Sequence, residues 1–127
     1  MIEYIAGTPV EHDFPYFFIQ CEGKGKLMRI LKDEILFVES ALNYLRIHLH
    51  SCSYTTYLTI TEIGEILPEK QFLRVHKSFV INIEKITGVE GNMVYLGNSV
   101  TVVLGPNYRK SFFDRLEPML VRSKRRG

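Results

Sequence analysis

From Pro15 onward the chain reads as a series of short segments in which apolar and polar positions alternate. The segments YFFIQCE (16–22) and KLMRIL (26–31) flank the turn GKG, the signal of a β-hairpin. ILFVES (35–40) runs into NYLRIHLH (43–50). In the latter, Leu45, Ile47 and Leu49 point one way and Tyr44, Arg46, His48 and His50 the other. Alternation of that kind predicts a strand with one buried face. YTTYLT (54–59) comes after the polar turn SCS.

The period then changes. TITEIGEILP (59–68) offers Thr59 as an N-cap with Glu62 three residues on, the pattern of a capping box. Ile60, Ile63, Ile66 and Leu67 form one helical stripe and Pro68 ends it. FLRVHKSFVINI (72–83) returns to alternation, broken by Arg74, His76, Lys77, Ser78 and Asn82. A meander should come next, its turns at GN (91–92) and GN (97–98), where glycine supplies positive φ. GPNYRKSFFDRLEPML closes the pattern as a second helix with Pro106 in its first turn and Tyr108, Phe112, Phe113 and Leu116 on its apolar face. Residues 1–14 carry no sustained period and read as a linker or leader. The sum is a mainly β domain of antiparallel strands with two or three short helices, over 15–120, and then a basic tail at 121–127.

Composition narrows the function classes. A chain of 127 residues is one domain with room for a core. Four of its 16 basic residues lie in the last seven, VRSKRRG, so the remainder has 12 basic against 14 acidic residues. Nucleic-acid binding would therefore use local patches, not a generally basic surface. Cys21 and Cys52 are too few for a disulfide framework and are expected reduced, in strands, as suits a cytoplasmic protein. The N-terminus has no signal-peptide pattern, and no apolar run reaches the about 20 residues of a membrane helix.

Candidate chemistry is thin. His76 and Ser78 could pair as base and nucleophile, yet no G-x-S-x-G elbow or glycine-rich oxyanion loop surrounds them. His48 and His50 share a strand face, but nothing supplies the further ligands zinc requires beyond remote His76 and Cys52. EGKGK (22–26) joins two strands and opens no helix, so it lacks the dipole of a phosphate cradle. No enzyme, cofactor or metal is expected. Residue types that read bases and phosphates occur at three loops: Asn43 and Tyr44, Lys77, and Asn107 with Arg109. These loops would have to converge on one surface.

The run FLRVHKSFVINIEKI resembles the most recognisable segment of the LytTR DNA-binding domains, commonly the output half of bacterial response regulators. That family shows an apolar–Arg–apolar–His–basic–Ser–aromatic run leading to Asn, here Arg74, Val75, His76, Lys77, Ser78, Phe79 and Asn82. Upstream, DEILFVESALNYLRIH resembles the family's strand pair, with Glu39 before Asn43 and Tyr44; downstream, GNMVYLGNSVTVVLGPNYRKSFFDRL is similar to its closing strands and helix.

The resemblance implies antiparallel strands in stacked small sheets, a β sandwich whose loops and strand junctions enter the DNA grooves. It implies that Asn43, Tyr44, Arg46, Lys77 and the loop Gly105–Arg109 face duplex DNA. Lys77, Arg109 and Arg74 would anchor phosphates, and Asn43 and Asn107 would approach base edges. His76, Ser78 and Asn82 would satisfy backbone groups at a corner. It further implies transcription regulation by paired domains on repeated half-sites, the chain being either a stand-alone regulator or the output part of a longer response regulator with a receiver domain. One departure stands out: Pro106 occupies the loop where the family often carries a contacting Arg. The alternatives are a protein-interaction or dimerisation module on the same scaffold and a small hydrolase using His76 and Ser78.

Overall fold

The computed structural model describes residues 4–5, 8–9, 14–21, 25–97 and 99–125. Most of the expected leader, residues 22–24 of the first turn, and Asn98 of the last lie outside these. Within the leader, β1 (Tyr4–Ile5) and β2 (Thr8–Pro9) make a short antiparallel ladder.

Strands β3 (Tyr16–Gln20) and β4 (Leu27–Leu31) pair as the expected hairpin. β5 (Ile35–Ala41), β6 (Tyr44–Leu49), β7 (Ser53–Thr56), β8 (Phe72–His76) and β9 (Phe79–Asn82) form one five-stranded antiparallel sheet in the order β7-β6-β5-β9-β8. β10 (Ile86–Glu90), β11 (Met93–Leu96) and β12 (Val100–Val103) form the meander. The helices are α1 (Ile60–Ile66) and α2 (Arg109–Leu116).

Strands β5, β9 and β8 are buried on both faces, which gives three layers there, whereas β6 buries only its hairpin side and leaves Arg46 exposed on the other. One core joins Ile19 and Ile30 of the hairpin and Ile60, Ile63 and Leu67 of the α1 segment to Ile35, Val38, Leu45, Ile47, Phe72 and Val80 of the sheet. The other joins Val94, Leu96, Val102, Leu104 and Phe112 to Leu36, Phe37, Val75 and Ile81. The unbroken apolar run of β5 serves both cores because of a register shift between Ile35 and Phe37. The extra residue puts Leu36 and Phe37 together on the meander side and returns Val38 to the hairpin side, as a bulge does.

Local chemistry sets the helix ends. Thr59 Oγ1 accepts from the Glu62 amide (3.0 Å) and the Glu62 carboxylate accepts from the Thr59 amide (2.8 Å), completing the capping box. The C-terminal helix starts later than the sequence suggests. Pro106 opens a 3-10 turn, Pro106–Tyr108, and α2 begins only at Arg109.

Cys52 is exposed in the β6–β7 loop and Cys21 bridges to Thr56 beyond the end of β3; both thiols are free, but neither is inside a strand. His50 lies past the end of β6, so it does not continue the face of His48. His48 itself is stacked on Phe37, ring centroids 4.2 Å apart, with Nε2 2.9 Å from Glu39 Oε1.

Asn82 is fully buried. Its carboxamide donates to the Ile35 carbonyl (2.8 Å) and accepts from the Glu84 amide (3.0 Å), linking the end of β9 to the start of β5. Replacing Asn82 by Ala would leave two backbone groups without partners and open a small void. We expect a loss of about 2–3 kcal/mol, measurable as a shifted urea midpoint with an unchanged slope.

Candidate nucleic-acid interface

Of the residues that could meet DNA, Asn43, Lys77 and Asn107 sit on turns between elements, and the pairing of strands decides which turns are neighbours. Ala41 pairs with Tyr44, so Leu42 and Asn43 form the two-residue connection between β5 and β6. The β8–β9 turn carries Lys77 and Ser78. Because β5 lies next to β9, these two turns lie at the same end of the sheet, where the Ser40 amide donates to the Ser78 carbonyl (2.9 Å).

The third loop arrives through a second irregularity. Between Arg74 and His76 the β8–β9 register shifts, leaving Val75 without a cross-strand partner. Its carbonyl accepts from the Gly105 amide at 2.7 Å. Gly105 is packed closely there: a β-carbon would lie 3.2 Å from the Tyr108 ring and 3.4 Å from the His76 ring. A side chain at 105 would therefore crowd the Tyr108 ring, which would have to shift by a few tenths of an ångström. The three loops singled out in the sequence thus converge on one end of the molecule.

Inside the β8–β9 turn the polar groups serve the backbone. The Ser78 amide donates to His76 Nδ1 (3.1 Å), so the contact between these residues uses the Ser78 backbone. The His76 ring also packs on Phe79, centroids 5.1 Å apart. Arg74 donates from Nε to the His76 carbonyl (3.3 Å) and from Nη2 to the Lys77 carbonyl. Its guanidinium thereby braces the turn that presents Lys77. The Lys77 side chain is exposed and has no polar partner among the described residues.

The remaining candidates differ in how free they are. Asn43 and Asn107 are exposed. Tyr44 packs its ring against Tyr57, centroids 5.1 Å apart. Arg46 is exposed, directly across the ladder from Glu39 on one side and Thr55 on the other. Arg109 is tethered: Nη1 donates to Asn92 Oδ1 (2.6 Å), and the guanidinium lies 5.1 Å from the centre of the Phe113 ring. Neighbouring Lys110 is paired with Asp114 (2.7 Å), and this hydrogen bond and charge push its pKa up. In the tail, Arg122 forms a bidentate pair with Glu117 (2.7 and 3.2 Å), which likewise raises its pKa.

Two residues at this end were not legible as site residues. Asn92 looked like an ordinary hairpin turn. In the fold its carbonyl accepts from the Leu104 amide (2.7 Å) while its side chain holds Arg109, so the β10–β11 turn joins the same cluster. Leu42 is almost entirely exposed at the β5–β6 tip. A leucine at a turn that favours Gly or Asn was the available signal.

Among the described residues no group of His, Cys, Asp and Glu is arranged to hold a metal ion, and no helix is long and apolar enough to cross a membrane.

Comparison with known proteins agrees with the architecture. Transcriptional regulatory protein NatR of Bacillus subtilis (strain 168) is 38% identical over 92 residues, covering 72% of this chain and 38% of that protein. The chain thus spans well under half the length of this relative. A solved LytTr DNA-binding domain from Bacillus cereus shares the fold, with a TM-score of 0.70 at 16% identity over 78% of this chain and 95% of that one. Residues 25–117 match the family described as LytTr DNA-binding domain, and the chain belongs to this LytTR family.

Proposed function

We propose that this LytTR domain regulates transcription by binding duplex DNA sequence-specifically through the cluster of turns at 41–44, 76–78 and 105–109. The observation that carries the reading is the adjacency of these turns through the Ser40–Ser78 and Val75–Gly105 backbone bonds. They expose amides and a cation on one rigid edge, the arrangement needed to contact phosphates and base edges together.

Roles divide according to what each side chain is already bound to. Lys77 is the phosphate anchor. Asn43 and Asn107 approach bases, with Tyr44 and Arg46 flanking Asn43. Arg74 acts chiefly by holding the Lys77 turn in shape. Arg109 contributes charge from a position held by Asn92, so its reach depends on the β10–β11 turn. His76, Ser78 and Asn82 are architecture, and no catalytic role is assigned to them. Pro106 donates no hydrogen bond, which leaves Asn107 as the amide of that loop. The domain would work in pairs on repeated half-sites, in the cytoplasm, either as the output domain of a response regulator with a receiver domain or as a stand-alone regulator.

Binding of duplexes recovered from a randomised library, at several salt concentrations, tests the reading; no enrichment of any sequence would overturn it. Lys77→Ala should weaken binding to all sequences alike and reduce the slope of log affinity against log salt by about one. Asn43→Ala should instead relax discrimination at one base position by roughly 1–3 kcal/mol. The two cations of the β8–β9 hairpin should also separate in thermal melts. Arg74→Ala should cost about 1–2 kcal/mol of stability through its lost bonds to the turn carbonyls, whereas Lys77→Ala should stay within about 0.5 kcal/mol of the parent.

A further inference from the structure

The tip of the β5–β6 hairpin is built against the preferences of its own residue. Leu42 adopts φ +57, the one non-glycine residue at positive φ among the described residues. That conformation disfavours any side chain with a β-carbon, and short hairpin connections ordinarily place Gly, Asn or Asp there. The leucine gains nothing from burial in return, because it is 98% exposed. A branched apolar side chain held out at a strained tip is unfavourable for folding on both counts. Strain of this kind is characteristic of positions that contact a partner.

The surroundings indicate which partner. Asn43 is the next residue after Leu42, and the strand leading to the tip is bonded through Ser40 to the turn that presents Lys77. The apolar side chain therefore belongs to the edge assigned to DNA under the proposed function, and the inference rests on that reading. We propose that Leu42 makes an apolar contact with the C5-methyl group of a thymine in the major groove, making it a residue that sets sequence preference. A two-stranded tip fits the major groove, about 12 Å wide, and not the minor groove, about 6 Å wide. The thymine methyl is the apolar group that base edges display there, and the paired adenine offers the N6 and N7 positions suited to a carboxamide. Leu42 and Asn43 together would then favour an A·T pair.

The experiment uses the whole chain and a duplex selected from a randomised library, with each thymine replaced in turn by deoxyuridine, which lacks only the methyl. At one thymine per half-site the replacement should weaken wild-type binding about four-fold, the worth of one buried methyl. Leu42→Gly should bind the thymine and uracil duplexes equally while melting at or above the parent temperature, since glycine is at ease at positive φ. Leu42→Asn, which also tolerates that conformation, should behave in the same way. If the wild-type chain binds its selected duplex yet tolerates every uracil, or if Leu42→Gly keeps the full four-fold effect, the inference is wrong and the DNA-binding reading stands. Failure to enrich any duplex would overturn both.

Discussion

The antiparallel pairing of β5 with β9, running from Phe37–Ile81 to Glu39–Phe79, ties the first half of the chain to the second. Both strands carry apolar side chains on both faces, so the sheet they centre must be covered twice. The hairpin and α1 cover one face, and the meander and α2 cover the other. The same pairing sets the tips of two hairpins side by side at one end. The buried carboxamide of Asn82, bonded to Ile35 and Glu84, fixes the opposite end of the pair. A slip of one residue would exchange the two cores and strand that carboxamide without partners, which is why the register is strongly specified.

Irregularities in the ladder do as much as its regular parts. The shift in β5 lets one apolar run feed two cores. The shift in β8 releases the Val75 carbonyl to hold Gly105, and with it the whole approach to α2. Each inserts one residue and re-aims the strand beyond it, so the third loop reaches the sheet end by a backbone hydrogen bond, at a position where a glycine packs closely.

The polar residues of 72–83 illustrate a division of labour. His76 and Arg74 satisfy backbone groups of the β8–β9 turn, because a tight turn between two buried strands exposes few of its amides and carbonyls to water, and Asn82 does the same at the other end of β9. What they leave over is a rigid platform with Lys77 projecting from it. Rigidity matters for recognition, since contacts from a preorganised turn lose little entropy on binding. Arg109 obeys the same logic across the gap to Asn92.

Local patterns determined most of the elements. Period-two alternation located β6, the Thr59–Glu62 pair located the start of α1, and the Arg-Val-His-Lys-Ser-Phe run marked the β8–β9 turn together with the family resemblance. These features are legible because each depends on residues within a few positions of one another. Register shifts, the tethering of Arg109 by Asn92, and the positive φ of Leu42 are not written locally. They arise from which strands become neighbours and how two cores fill, over separations that no local pattern spans. Residue types and their spacing mark which residues could meet a partner; long-range packing sets which of them stand together and which are already engaged.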